Sequence, residues 1–366
     1  MMFKKPIYTA PDFNQEKFLS SPNASTDKVK IRGIAPDNYH ATSIYPEYYK
    51  INGEWRLIPQ SRMDCVPVIN HDGSLEAKEF RRLKVGDDVI TGRVDDGTQG
   101  IYLYNNGFKS DEDKIDTFAF RSGRSRETSF GPDYDRLVEL LEHDKNHGHI
   151  IWVLGPAVIF NSQSREAMEY IIDHNYAHAV FGGNAVATHD LEGALFGTAV
   201  GQDIRTCENM HNGHYHHLDA INMINKAGSI EEAIKEYHID NGVIYSCVKN
   251  NIPYVLAGSI RDDGPLTGVF SDMPEAQDEM RYHIKKATTI VCLATQLHTI
   301  ATGNLTPSYT VLGGEVQPVF IYAVDISEFV LNKLRDRGTL EVTTIVSNVQ
   351  DFLFKLVYML NKHRDI

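Results

Sequence analysis

The chain has 366 residues, too many for one small domain, so two domains are the natural expectation. Its formal charge of −13 argues against a nucleic-acid partner, because binding a phosphate backbone depends on a basic surface. No apolar run approaches the roughly 20 residues that span a bilayer, which argues against a membrane protein. Four widely spaced cysteines favour a reduced, cytoplasmic protein without a structural zinc site.

Residues 1–130 are expected to form an amino-terminal arm and a small, mostly antiparallel β domain. Residues 1–30 are polar and lack the apolar core of a secretory signal, so we expect a loosely held arm. Two short extended runs flank Asn52-Gly53, a dipeptide that favours a tight hairpin turn. Further strand-like runs follow at 66–70, 88–93 and 100–104.

Residues 131–366 have the pattern of a doubly wound α/β domain, in which apolar runs alternate with amphipathic segments. Helical spacing of Leu137, Leu140 and Leu141 opens this part of the chain. Each apolar run is continuous, as strands buried on both faces of a parallel sheet must be. The six predicted strands are Ile150–Leu154, Ala177–Phe181, Tyr254–Ala257, Thr289–Ala294, Val319–Val324 and Val342–Val346. Helix signals between them are Ser229 with Glu232 as a capping box, Pro274 at a helix start and Gly338 after a basic helix end.

The residues that follow each strand of such a sheet line one crevice, where ligands bind. Glycines after a strand let backbone amides approach a diphosphate, although Gly-Gly after a strand, as at Gly182-Gly183, is more often a tight turn and no GxGxxG occurs. Asp325 fits either an NAD ribose or the charge at a helix start. The crevice positions are Gly155 to Ala157, Gly182 to Ala185, Arg261 to Pro265, Thr295 to His298, Asp325, and Asn348 with Val349.

The stretch PYVLAGSIRDDGPL, residues 253–266, runs from an apolar strand directly into a charged turn. This order is typical of a buried strand that ends in a functional loop, but Asp-Gly-Pro is also ordinary turn chemistry. Both interpretations remain open on this segment alone.

A histidine cluster at residues 214–217 offers a second candidate site. Its spacing does not match a familiar set of metal ligands, so we expect no metal and favour one histidine as a proton carrier or substrate contact. His189, Asp190 and Glu192 open a predicted helix and fit either helix caps or crevice-facing groups.

Several long motifs resemble the archaeal-type ornithine cyclodeaminases, over about residues 40 to 360. This group includes the carboxyl-terminal part of cyanobacterial bifunctional arginine-catabolic enzymes and is related in name to lysine-oxoglutarate reductase/saccharopine dehydrogenase. The motifs are YYKINGEWRLIPQSRMDC, GPAVIF, FGGNAVATHDLEGALFGTAVG, CVKNNIPYVLAGSIRDDGPL, QLHTIATGNLTP and YAVDISEFVLNKLRDRG.

The resemblance implies an NAD-binding domain similar to that of deoxyhypusine synthase, an amino-acid substrate and, by that likeness, a homo-oligomer. It implies that L-ornithine is converted to L-proline and ammonia by transient hydride transfer. For that reaction Arg261 suits the substrate carboxylate, Asp262 suits proton transfer or the substrate ammonium, and His214 or His217 suits a proton relay. The implied NAD contacts are Asn184, Ala185, Asp263, Thr295, Gln296, Leu297, His298, Asp325, Asn348 and Val349.

Three departures from the family pattern leave the substrate open. Phe160-Asn161-Ser162 replaces a His-Thr-Gly stretch, and Tyr215 takes the place of an arginine in a Gly-His-Arg-Asn-His motif. Arg121, Arg124 and Arg126 occur in a segment that is usually Phe-Glu-Phe-Met. An NAD-dependent dehydrogenase of another amino acid and a non-catalytic NAD-binding protein are therefore the alternatives.

Overall fold

The structure, a computed structural model, describes residues 3–109, 130–262, 264–327 and 340–364. Three sequence predictions lie outside these ranges. They concern Asp263 as a cofactor contact, the three arginines between residues 121 and 126, and the helix that ends before Gly338.

The amino-terminal part consists of short strands in antiparallel sheets, as predicted. One sheet contains four strands in the order β2-β8-β6-β7, another contains three in the order β4-β3-β9, and β1 pairs with β10. The elements are β1 (Ile7–Tyr8), α1 (Glu16–Leu19), β2 (Ser25–Lys28), β3 (Glu47–Ile51), β4 (Glu54–Leu57), β5 (Gln60–Ser61), β6 (Val66–Ile69), β7 (Leu75–Lys78), a 3-10 turn (Phe80–Arg82), β8 (Asp88–Thr91), β9 (Ile101–Leu103) and β10 (Phe108–Lys109).

The predicted hairpin is confirmed. β3 and β4 pair antiparallel with Ile51 opposite Glu54, and Asn52 and Gly53 form the two-residue turn. Both turn residues have positive φ, 52° and 84°, which is the backbone that a tight hairpin turn requires.

The expectation of a loosely held amino-terminal arm is wrong. β2 pairs with β8, and Phe18 is buried against the rings of Trp55 and Tyr102. The buried ammonium of Lys50 donates hydrogen bonds to the carbonyl oxygens of Phe18, Leu19 and Ser21 at 2.7–3.0 Å. A few aromatic contacts and one buried cation therefore hold a segment that is polar overall.

All six predicted parallel strands are present in one sheet. Its order, β15-β12-β11-β16-β19-β20, corresponds to 3-2-1-4-5-6 along the chain, the arrangement of a Rossmann fold. The order reverses between β11 and β16, which makes the carboxyl ends of these two strands the switch point. The strands are β11 (Ile150–Leu154), β12 (Ala179–Gly183), β15 (Tyr254–Ala257), β16 (Thr289–Leu293), β19 (Phe320–Asp325) and β20 (Glu341–Val346).

Helices cover both faces of this sheet, so the domain is doubly wound. Alternate residues of β11 show it, because Trp152 packs in one apolar core with Leu141 and Leu356, while Val153 packs in another with Met280. The helices are α2 (Gly131–His147), a 3-10 turn (Pro156–Val158), α3 (Ser162–Asp173), α4 (Asn184–Phe196), α5 (Gly213–Ala227), α6 (Ile230–Glu236), α7 (Val243–Lys249), α8 (Met273–Ile284), α9 (Gln296–Leu305) and α10 (Val349–Arg364). Within the described ranges, no helix is long and apolar enough to cross a membrane.

Two predicted helix starts are confirmed by their caps. The Ser229 hydroxyl accepts a hydrogen bond from the Glu232 amide at 3.1 Å at the start of α6. Pro274 lies in the first turn of α8, where Asp272 caps the Glu275 amide at 2.9 Å.

The sequence reasoning missed a hairpin between α9 and the fifth parallel strand. β17 (Tyr309–Leu312) and β18 (Glu315–Pro318) pair with each other, and β17 also pairs with β5. The buried Tyr309 hydroxyl donates to the carbonyl oxygen of Ile58 at 2.7 Å. This hairpin therefore joins the antiparallel part of the chain to the parallel-sheet part. A short β13–β14 ribbon (Thr198–Ala199 with Gln202–Asp203) follows α4.

Candidate active site

A cleft of about 580 Å³ opens at the switch point of the parallel sheet. Its walls come from the carboxyl ends of β11, β12, β15 and β16 and from the segments that follow them. The structure brings eight of the predicted site residues together here: Asn184, Ala185, Arg261, Asp262, Thr295, Gln296, Leu297 and His298.

The base of the cleft depends on a close backbone approach between the two central strands. A Cβ atom at Gly155 would overlap the carbonyl oxygen of Ala294. The Gly155 amide donates a hydrogen bond to the carbonyl oxygen of Leu293 at 2.7 Å. Ala294 itself has a positive φ of 48°, an uncommon backbone for a residue with a side chain. Such backbone strain is concentrated at ligand-binding and active sites, and here Ala294 forms part of the cleft wall.

Two helix amino termini face this cleft. α4 begins at Asn184 and α9 at Gln296, and in neither case does a side chain cap the free backbone amides. Free amides and the positive end of the helix dipole together bind anions such as a diphosphate. The arrangement provides two convergent donor sets for a dinucleotide.

Gly183 brings the α4 terminus close to the opposite wall. An added Cβ at this position would lie 3.0 Å from Cε1 of His298 and 3.6 Å from the Ala257 carbonyl oxygen. The glycine therefore lets two strand ends and the α9 start approach one another at the centre of the cleft.

His298 is the titratable ring of this wall. Burial lowers its pKa, although the Ala257 carbonyl and the Asp262 carboxylate oppose that shift. Its Nδ1 lies 3.3 Å from the Thr295 hydroxyl. The imidazole is consequently neutral at pH 7, and it can exchange hydrogen bonds with an uncharged ligand group.

The charged loop after β15 is a tight turn whose side chains reach the cleft. The Ser259 amide donates to Oδ2 of Asp262 at 2.7 Å, and the Arg261 amide donates to the Ser259 hydroxyl at 3.2 Å. Arg261 is exposed and forms no ion pair within the part of the chain that the structure describes. The fixed carboxylate of Asp262 and the available guanidinium of Arg261 are therefore neighbours in the cleft lining. This pair suits an amino-acid ligand, which carries both an ammonium and a carboxylate.

Asp325, Asn348 and Val349 lie at the same sheet edge but do not line this cleft. Asp325 ends β19 and accepts a hydrogen bond from the Ser327 amide at 2.8 Å. Asn348 accepts from the Gln350 amide at 2.8 Å, and Val349 is buried in the core at the start of α10. Gln350 contacts the carbonyl oxygen of Ala157 at 3.0 Å, so this helix start adjoins the turn after β11.

His214 and His217 lie in the first turns of α5, which packs on α4, and they also do not line the cleft. The His214 ring is exposed and packs on Tyr215, with 4.3 Å between ring centroids. His217 lies 6.2 Å from the ring of His189. Their proposed role as proton relays stays a prediction.

The structure singles out His189 and Glu192, which the sequence reasoning left as either caps or crevice groups. Nδ1 of His189 lies 2.7 Å from Oε2 of Glu192, and the carboxylate also accepts from Thr198 and from the amides of Val200 and Gly201 at 2.8–3.1 Å. Burial opposes ionisation of Glu192, but these hydrogen bonds hold its pKa below the usual value. The spacing of three residues on one helix was the signal that could have identified the pair.

The histidine-rich start of α5 also contains His216. Among the residues that the structure describes, no group of three or more His, Cys, Asp or Glu side chains is arranged to hold a metal ion. His216 is instead tied to Thr198, whose hydroxyl lies 2.9 Å from its Nδ1.

Comparison with known proteins agrees with this architecture. A family model described as arginine dihydrolase ArgZ-like, C-terminal, Rossmann fold matches residues 136–356. An ornithine cyclodeaminase of Methanopyrus kandleri is 38% identical over 343 residues, which cover 91% of this chain and 77% of the relative. The chain belongs to the archaeal-type ornithine cyclodeaminase family. The family resemblance in the sequence motifs is thereby confirmed.

Other members of this family extend the comparison. The bifunctional arginine dihydrolase/ornithine cyclodeaminase ArgZ of Synechocystis is 36% identical over 348 residues, 92% of this chain but only 47% of that protein. The crystal structure of a LOR/SDH protein from Methanococcus maripaludis superposes with a TM-score of 0.84 at 35% identity and covers 94% of this chain and 99% of that one. A complex of AgrE with ornithine and NAD⁺ has a TM-score of 0.58 at 33% identity and covers 94% of this chain and 46% of that one.

Proposed function

We propose that this protein is an NAD-dependent ornithine cyclodeaminase that converts L-ornithine to L-proline and ammonia. The observation that carries the proposal is the switch-point cleft, which places two uncapped helix starts beside a fixed carboxylate and an available guanidinium. Relatives that carry this activity in their names are 38% identical over nearly the whole chain, and AgrE binds ornithine and NAD⁺ together.

The residues of the cleft fit NAD. The amides at the starts of α4 and α9 are free to hold the diphosphate, and Gly183 keeps the space between them open. Asp325 ends the strand next to β16, where a carboxylate can hold the hydroxyl groups of a ribose. We propose that Asn184, Ala185, Thr295 to His298, Asp325, Asn348 and Val349 form the cofactor site. Asp263, the remaining predicted contact, keeps its proposed role outside the described residues.

When bound, NAD supplies a reversible hydride acceptor for the α-carbon of the substrate. The residues of this chain bind the substrate, orient it and move protons at its two nitrogen atoms. Arg261 holds the α-carboxylate through its planar, bidentate fork. Asp262, held in place by the Ser259 amide, receives a proton from the substrate ammonium, so that the nitrogen becomes reactive. His214 or His217 relays protons between the site and solvent.

The departures at Phe160 and Tyr215 support one competing function, a dehydrogenase of another amino acid. The Phe160 ring lies 5.7 Å from that of His189, so this departure is next to the His189–Glu192 pair, whose carboxylate is buried. Tyr215, by contrast, is an exposed residue of α5. Neither residue lines the switch-point cleft, so the case for a changed substrate rests on the sequence departures themselves.

A single incubation distinguishes the functions. The protein is mixed with L-ornithine and with NAD at no more than a tenth of the ornithine concentration. Proline, ammonia and NADH are then measured. We expect many equivalents of proline and ammonia per NAD, without accumulated NADH. Accumulated NADH with ornithine or with another member of an amino-acid panel would establish a dehydrogenase. No turnover across the panel, with NAD still bound, would establish a binding protein.

We also propose a cytoplasmic homo-oligomer with a domain boundary between residues 130 and 131. All four cysteines are free, and three of them are buried, as suits a reducing compartment. Light scattering after size-exclusion chromatography tests the assembly. A monomeric mass at micromolar concentration would refute it.

A further inference from the structure

A second cavity lies between the antiparallel sheets and the parallel-sheet domain. Its volume is about 380 Å³, which is within the range of small-molecule sites. β5, β7 and the 3-10 turn Phe80–Arg82 form one side, and the carboxyl ends of α8 and α9 form the other. Since α9 begins at the cofactor cleft and ends here, its ten residues separate the two sites by about 15 Å.

Positive charge predominates in this cavity, although the whole chain carries −13. Two carboxylates line it, Glu76 and Glu79. The cationic side chains that line it are Arg62, Lys78, Arg82, Arg281 and Lys285. The side chains that line the cavity therefore carry a net positive charge, opposite in sign to the net charge of the whole chain. Such a cavity attracts anions rather than cations.

Two arginines with little solvent exposure share one carboxylate oxygen. Arg62 and Arg281 both form ion pairs with Oε1 of Glu79, and their side chains are 13% and 7% exposed. Nε of Arg281 is buried without a hydrogen-bond partner among the described residues. Arg281 also pairs with Asp278 at 2.9 Å, a carboxylate that Arg81 and Arg82 share. Four guanidinium groups therefore share the two carboxylates Glu79 and Asp278, which leaves positive charge in excess at the cavity wall.

The ionisation of these groups is consistent with a surplus of positive charge. Burial lowers the pKa of Arg281, Glu79 opposes this shift, and the neighbouring Arg62 and Arg82 add to it. Burial raises the pKa of Glu79, but Arg62 and Arg281 outweigh this effect and keep it below the usual value. An added anion would relieve the repulsion among the arginines.

We propose that this cavity binds a small polyvalent oxyanion, a phosphate or polycarboxylate metabolite, at a site distinct from the cofactor cleft. Guanidinium forks match the planar oxygens of a carboxylate and the oxygens of a phosphate, and such charge-assisted pairs are the strong hydrogen bonds of protein sites. A concave cavity between two sheet systems suits a small molecule rather than an extended polyanion.

Calorimetric titration with inorganic pyrophosphate and with citrate tests the proposal. Saturating NAD is present throughout, so that the diphosphate site of the cleft is occupied. We expect one bound anion per chain. Arg82→Gln and Lys285→Gln should each raise the Kd about tenfold, the effect of one lost charge-assisted contact. Both side chains are at least one-third exposed, at 36% and 46%, so these variants should fold.

The converse change and a matched control sharpen the experiment. Glu76→Gln removes negative charge from the cavity and should lower the Kd by about twofold to fivefold, as expected for a partly exposed group. Lys235→Gln removes an exposed cation that lies on α6, outside the cavity, and should leave the Kd unchanged. Tighter binding of pyrophosphate or of citrate would identify the class of metabolite. Absence of binding by either anion, or unchanged affinity in both cavity variants, would overturn the proposal.

Discussion

Replacing Gly183 with alanine should weaken NAD binding, because this residue has almost no free space on the side of the cleft. The new Cβ would lie 3.0 Å from Cε1 and 3.5 Å from Nε2 of His298. Carbon atoms in contact prefer 3.5–4.0 Å, so the α4 start or His298 would have to move by several tenths of an ångström. Either movement changes the distance between the two helix starts that are proposed to hold the diphosphate.

The magnitude follows from the cost of overpacking, typically about 1–3 kcal/mol. If this cost falls on the bound state, the NAD Kd rises about 5- to 150-fold. Calorimetric titration with NAD measures the Kd, and circular dichroism establishes that the variant is folded.

Gly182→Ala is the matched control, because it adds the same methyl group to the same strand. The nearest atoms to its Cβ would be those of the Val186 side chain, at an ordinary contact distance of 3.4–3.5 Å, whereas the Cβ at position 183 would meet His298. We expect an NAD Kd within about twofold of the wild-type value. A folded Gly183→Ala protein with wild-type NAD affinity would refute the assignment of this strand end to the cofactor.

Four further predictions concern individual side chains. Arg261→Lys keeps the charge but loses the bidentate fork, so kcat/KM for ornithine should fall about 10- to 150-fold, with NAD affinity unchanged in titration. Asp262→Asn should lower kcat about 10²- to 10⁴-fold with a smaller change in KM, if the carboxylate moves a proton. NAD should bind more tightly than NADP in parallel titrations, because Asp325 would repel a 2′-phosphate. Glu192 has a lowered pKa when folded, so its contribution to stability is present above about pH 4.5 and is lost as the pH falls. Glu192→Gln should therefore unfold more easily than the wild type in urea at pH 7, and this difference should shrink in acid.

Each of these predictions has a result that would contradict it. Wild-type turnover in both loop variants, or a loss of NAD affinity in a folded variant, would show that Arg261 and Asp262 are structural or bind the cofactor. Equal or tighter binding of NADP would remove Asp325 from the ribose site. A stability difference for Glu192→Gln that persists at pH 3 would mean that the carboxylate acts by packing and not by charge.

The parallel sheet could be predicted from the sequence because each of its strands carries its own signal. The sequence of β11 is IIWVL, and all five residues are buried. A continuous apolar run of this kind indicates a strand that is buried on both faces. The strand ends then follow directly, and with them the cleft positions at Asn184, Arg261 and Thr295. Carboxyl ends of parallel strands meet at one edge, so local patterns were enough to gather residues that are distant along the chain.

Features that depend on contacts between distant segments could not be predicted in this way. The arm around Phe18 is fixed by Trp55 and Tyr102, which lie on two different strands. β17 has an ordinary local sequence, and its position depends on pairing with β5, some 250 residues earlier. The sequence of one segment does not indicate which distant segment it contacts.

The histidines show the same limit at the candidate site. From residue type alone, His214 and His217 were equally suitable candidates for a proton relay. Which histidine faces a partner depends on how α5 packs on α4. The packing gives a buried carboxylate partner to His189, through Glu192, while His214 lies exposed on Tyr215.

Phe160 gives this difference a chemical consequence. The resemblance implies a histidine in this stretch, whereas here an apolar ring packs edge-on against His189 at 5.7 Å, with an interplanar angle of 69°. Phe160 brings no titratable group to His189, whose charged partner is the Glu192 carboxylate. A departure that looks like a lost functional residue in the sequence therefore places an apolar ring beside this pair. The contact between Phe160 and His189 lies outside the lining of the switch-point cleft, so this departure changes the surroundings of the cleft and not its lining.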